Sequence, residues 1–141
     1  MRRNALNHRI FKFLCNEMDS EFEILLFHLN VRCLSRGKVL NRVCTMRKEI
    51  GKFLLEYNHR HAQWFNNVEF TLLLAYMADI FDSINCLNKQ MQRTGVNIIE
   101  AEEYLSAFQI KLLLYKRRII MSNYANFPLL DDICNINDDN N

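Results

Sequence analysis

A mainly α-helical bundle is the fold this sequence predicts, and three observations predict it. Apolar residues recur at three- and four-residue spacing over most of the 141 residues. Only three glycines and one proline interrupt those periods. The polar breaks between them carry asparagines of the kind that cap helices. The expected architecture is a helical bundle with a long antiparallel helical hairpin, together with one short strand-like run. The length suits one domain and is enough for a core.

The elements follow in chain order. Leu6, Ile10, Phe13 and Leu14 fall at helical spacing and predict a first helix from Asn4 to Met18. Asp19-Ser20-Glu21 breaks it. Phe22 to Leu29 is a short apolar run with polar bounds, the profile of a buried strand, although strand, helix and disorder all stay open for it. Ser35 can cap a helix by accepting from first-turn amides. Val39, Leu40, Val43, Met46, Ile50, Phe53, Leu54 and Tyr57 then repeat on one face, which predicts a single helix from Arg36 to Tyr57.

Polar residues from Asn58 to His61 end that helix, and Trp64 and Phe65 between two helices are expected to staple the hairpin. Asn66 and Glu69 have capping-box spacing ahead of a helix from Asn67 to Arg93. It carries Phe70, Leu74, Met77, Phe81, Ile84, Asn88 and Met91 in steps of four and three. A glycine break at Gly95 and a cap at Asn97, with Glu100 three residues later, start a helix from Ile98 to Met121. Its stripe is Ala101, Leu105, Phe108, Leu112, Tyr115 and Ile119. Both helices would be about 35 to 40 Å long, and the short link makes them antiparallel neighbours. Asn126-Phe127-Pro128 is expected to terminate the bundle, leaving 131–141 as a polar tail.

Net charge is +2 overall but uneven, with +6 over residues 1–60 and −4 over residues 61–141. The basic first part permits phosphate contact through counterion release. A solvated surface with local ion pairs is the plainer reading. Five cysteines with no close pair make neither a disulfide framework nor a Cys-x-x-Cys metal site, and a reducing compartment is expected. The N-terminus has no long apolar run or small-residue cleavage site, so no signal peptide is expected. Nor does any stretch approach the length of a membrane span on this reading.

The run "FHLNVRCLSRGKVLNR" from Phe27 to Arg42 carries a dense basic segment straight into an apolar helical period. It resembles the segment F-H-T-E-V-R-W-L-S-R-G-K-V-L-x-R of proteins descended from hAT-superfamily DNA transposons. That family includes general transcription factor II-I repeat domain-containing and transposon-derived BED-type zinc finger proteins. "LAYMADIFDSINCLNKQMQ" from Leu74 to Gln92, "FQIKLLLYKRRI" and "NFPLL" resemble further family strings in the same order, so the likeness runs from Leu6 to Leu130.

The resemblance implies that 1–34 is a remnant of an RNase H-like region and that 35–130 is a helical, insertion-type bundle. In hAT transposases three acidic residues hold two metals that cleave DNA strands. None of the three can be assigned to a position here, and Asp79, Asp82, Asp131 and Asp132 match no catalytic position. The family's Arg-Trp pair is also altered: Arg32 matches the arginine, but Cys33 stands where the tryptophan would stack on an exposed base. The family's BED zinc finger is absent from these residues.

Other local patterns have plain readings. His59 and His61 lack neighbouring ligands and read as an exposed connection, while Lys116, Arg117 and Arg118 favour the dipole at a helix C-terminus. Gly37 and Gly51 lie inside helical patterns, so no glycine-rich phosphate loop is formed.

The expected function is that of a non-catalytic, transposase-derived fragment acting through protein association, with no cofactor, metal or small-molecule substrate. Its interface is expected at Leu25, Leu26, Phe27, Val43, Ile50 and Leu54, which lose the parent fold's covering surface. The alternatives are weak, sequence-independent DNA binding through Arg32, Arg36, Lys38 and Arg42, or a place within a longer transposase-like protein. Family resemblance implies a nuclear location, with a cytoplasmic one as the alternative, and no membrane partner is expected.

Overall fold

A computed structural model describes residues 2–18, 33–57 and 59–138, and side chains within 7–18, 37–57 and 59–136. The described residues form seven helices and no strand: α1 (Arg2–Glu17), α2 (Cys33–Thr45), α3 (Arg47–Glu56), α4 (Ala62–Phe65), α5 (Val68–Met91), α6 (Ile98–Ile120) and α7 (Pro128–Asp138). The mainly α-helical expectation holds. The strand-like run from Phe22 to Leu29 lies outside the described residues.

α5 is the axis of the bundle. It packs most extensively against α2, next against α7, and more lightly against α6 and α4. Two small residues, Ala75 and Ala78, are fully buried on it and let neighbours approach. Cys44 of α2, Leu74 of α5, Tyr115 of α6 and Leu130 and Ile133 of α7 share the resulting core with them. A second cluster joins Phe11 and Cys15 of α1 to Met46 and Ile50, with the Phe53 ring edge-on to Phe11 at 5.4 Å.

α2 reaches α5 at Gly37. A Cβ there would stand 2.2 Å from Asn85 Nδ2 and 3.4 Å from Phe81 Cβ. Gly37 and Asn85 are both buried at this crossing. A glycine inside a helix loses up to about 1 kcal/mol of propensity relative to alanine, and here the close crossing offsets that cost.

Several sequence expectations need correction. The single helix from Arg36 to Tyr57 is two helices separated at Met46 (φ −89°, ψ 21°). Thr45 Oγ1 donates to the Asn41 carbonyl at 3.0 Å and Arg47 Nη1 to the Cys44 carbonyl at 3.2 Å. Such side-chain claims on carbonyls bend helices. α2 starts at Cys33, so Ser35 lies within its first turn instead of capping it, and the 34/35 domain boundary falls inside a helix. The cap of α5 is Asn67, accepting from Phe70 N at 3.0 Å, and not Asn66. The Asn97–Glu100 capping box of α6 forms as its spacing predicts.

The stretch beyond Leu130 is not a polar tail, because α7 continues to Asp138. Pro128 occupies the first helical position, where no amide partner is lost. Phe127, fully buried, sits between Tyr76 at 5.5 Å and Tyr115 at 4.9 Å between ring centroids. Asp79 of α5 then accepts from Leu129 N at 3.3 Å and Leu130 N at 3.1 Å, capping α7 from another helix. α5 also corrects the membrane expectation: Val68–Met91 is long and apolar enough to cross a bilayer by length and composition. It packs against α2 and α7, with 28% of its apolar window buried.

Gly37→Ala should destabilise the chain. Overpacking costs about 1 to 3 kcal/mol, against a propensity gain of no more than about 1 kcal/mol. Adding Asn85→Ala should recover most of the loss in a denaturant titration. Equal stability of Gly37→Ala and wild type would mean that the crossing is slack.

Asp79 gives a pH signature. Burial pushes its carboxyl above the ordinary range, Asp82 and Asp132 add to the rise, and the Leu130 and Leu129 amides oppose it. A raised folded pKa favours the protonated form, so this contribution is fully present below the ordinary value of 3.8 and is lost as pH rises through the folded value. Asp79→Asn should flatten that part of the stability curve. Asp79→Ala should cost about 1 to 3 kcal/mol by leaving two helix amides unpaired, read as a lower denaturation midpoint.

Candidate association surface

α6 has α5 as its main neighbour among the described helices, and the two pack lightly. The two run antiparallel, with Ser83 Oγ and Tyr115 Oη sharing a 3.4 Å hydrogen bond across the pair. Ala101, Tyr104, Phe108 and Ile119 are half-buried and Tyr115 is buried, which marks the stripe that meets α5. Leu105 and Leu112, expected in that stripe, are 44% and 38% exposed. Tyr104 takes the place of Leu105. A helix turns once per 3.6 residues, so positions one apart differ by more than a quarter turn.

The opposite side of α6 is also apolar. Ile99, Ile110, Leu113 and Ile120 are 66%, 69%, 64% and 72% exposed, and they share one face because their spacings lie near whole turns. Between α6, α5 and α7 lies a groove of about 730 Å³ walled by Leu73, Tyr76, Ile80, Leu112, Ile119 and Cys134, among others. The exposed Leu73 on α5 extends the apolar surface across the groove. Sequence reading passed over this face because it looked for one stripe per helix, while α6 carries two. The consecutive Leu112, Leu113 and Leu114 and the pair Ile119-Ile120 were the available signal, since consecutive apolar residues cannot all point one way.

The residues expected at an interface are placed differently. Ile50 is buried in the second core cluster, and Val43 and Leu54 pack against it. These three side chains serve the chain's own interior, because α1 covers the face of α3 that was expected to lie open. Leu25, Leu26 and Phe27 lie outside the described residues.

Of the basic group, Lys38 is exposed and Arg42 half-buried on the same face of α2. Arg32 lies outside the described residues, as does the Arg36 side chain. Arg118 donates to Asn126 Oδ1 in the link that follows α6, and Lys111 Nζ stands 5.3 Å from the Tyr115 ring centroid. Among the described residues no three His, Cys, Asp or Glu side chains gather as metal ligands. The His59 and His61 rings lie 5.0 Å apart in the exposed connection. Cys15 and Cys44 are buried thiols, and Cys86 is exposed. Burial pushes the Cys44 thiol up, against the lowering influence of Arg47.

Fold and surface together define a mainly α-helical domain organised on one central helix, with a hairpin arm that keeps an apolar face open. Comparison with known proteins gives that class a family. The FAM200/GTF2IRD2 helical domain matches residues 1–120, and the chain belongs to this family. General transcription factor II-I repeat domain-containing protein 2 of Mus musculus is 30% identical over 129 residues, covering 92% of this chain. The chain spans 14% of the length of that relative. No solved structure matches.

Proposed function

We infer that this chain is a non-catalytic protein-association module of transposon ancestry. The apolar face of α6, continued by the groove against α5, carries the reading. Ile99, Ile110, Leu113 and Ile120 are each more than half exposed, and each Å² of apolar surface left in water costs about 25 cal/mol. The hAT-like strings of the sequence support the ancestry, and a transcription-factor-named relative supports a nuclear location. The altered Arg-Trp pair and the unassigned acids are the grounds for reading the chain as non-catalytic.

Sedimentation equilibrium of the purified chain should show concentration-dependent association above the 16.9 kDa monomer. A folded chain that stays monomeric at the highest attainable concentration would overturn the reading.

One observation favours DNA contact as a second reading: Lys38 in the middle of α2 and Arg42 in its last turn, about one helical turn apart, lie on a common face. Phosphate binding there would be independent of sequence and steeply dependent on salt. Lys38→Gln with Arg42→Gln should then weaken binding and lower the salt slope by about two. Titrations of duplex DNA at several salt concentrations decide this, and salt-insensitive binding sinks it.

A further inference from the structure

We propose that the outer face of α6 is a homodimer interface, on which a second copy lies antiparallel with the two-fold axis passing near Ile110. The proposal rests on the association reading above and names its partner.

Two features of α6 select a second copy. The outer stripe Ile99, Glu103, Ser106, Ile110, Leu113, Arg117 and Ile120 steps by four and three residues, the period of helices that pack along their length. It faces away from α5, the described helix that α6 mainly touches, so a long partner helix can approach without displacing the core. Charge then sets its direction. Glu100, Glu102 and Glu103 lie in the first half of α6, and Lys111, Lys116, Arg117 and Arg118 in the second. A parallel second copy would set like charges side by side.

An antiparallel copy centred on Ile110 places Ile99 opposite Ile120, Glu103 opposite Arg117 and Ser106 opposite Leu113, with Ile110 meeting its own mate. Apolar positions thus meet apolar or small ones, and each acid meets a base. Glu103 and Arg117 are both exposed in the single chain, so each can be reversed without touching the core. A two-fold axis makes every such contact occur twice.

Charge reversal tests this directly. Glu103→Lys sets base against base at the Arg117 contact, and Arg117→Glu sets acid against acid. Each variant alone should dimerise about tenfold or more weakly than wild type, because like-charge juxtaposition opposes docking. An equimolar mixture of the two variants should recover dimerisation, since in the mixed dimer one contact again pairs opposite charges in their original sense and the other pairs them in the reversed sense. The double variant within one chain should also recover it. Ile110→Glu, on the axis, should abolish dimerisation while helix content measured by circular dichroism stays unchanged.

Single variants that dimerise like wild type would overturn the α6 interface and leave the association reading standing. Loss in the single variants without recovery in the mixture would overturn the antiparallel pairing. A wild-type chain that stays monomeric would overturn both proposals together.

Discussion

The crossing of α2 over α5 at Gly37 is the constraint on which the other packing depends. With no side chain at that position, the backbone of α2 can lie against Asn85 and Phe81. The approach brings Leu40, Val43 and Cys44 onto the Leu74–Ala78 face of α5. α3 continues from α2 through Met46, so the direction of α2 also decides where Ile50 and Phe53 meet α1. Widening the crossing by one methyl would therefore disturb both apolar clusters. Core side chains pack at crystal-like density and transmit such shifts instead of absorbing them.

The other flank of α5 is secured by a polar device set inside an apolar one. Phe127 fills the space between Tyr76 and Tyr115, which fixes where the chain turns after α6. Pro128 then starts α7 with its first amides aimed at the Asp79 carboxylate. A buried carboxylate is costly to desolvate, but the positive end of a helix and two N–H donors offset much of that cost. Because donor and acceptor are 50 residues apart in the chain, this cap forms only after the bundle has closed. It is tertiary structure in the role usually played by a local cap.

That difference in range explains what could be read from the sequence. Several local signals were legible: the Asn97–Glu100 box and the two long helices that follow Asn67 and Asn97 appear in the folded chain, while the period from Arg36 to Tyr57 divides at Met46. α7 was missed because its cap, Asp79, is remote and its polar residues, Asp131, Asp132 and Asn135, outweighed Leu130 and Ile133 in the reading of composition. The misplacement of Ile50 at an interface has a similar origin. Periodicity identifies an apolar face but does not say which neighbour covers it, and α1 does so here. The basic segment was legible as a cluster of charge, yet only Lys38 and Arg42 fall where side chains are described.

The open face of α6 follows from the same arrangement. α2 and α7 occupy the two flanks of α5, which leaves α6 the remaining side, and one helix can cover only one stripe of another. A helix with one apolar stripe would then be satisfied. α6 has two, and the second includes Ile110, Leu113 and Ile120, each more than half exposed. Nothing in the core requires apolar residues there, since polar ones would leave the α5 contact and the Phe127 anchor intact and would keep the arm better hydrated. Their presence is intelligible as a binding surface, and the division of α6 into an acidic first half and a basic second half gives that surface a direction.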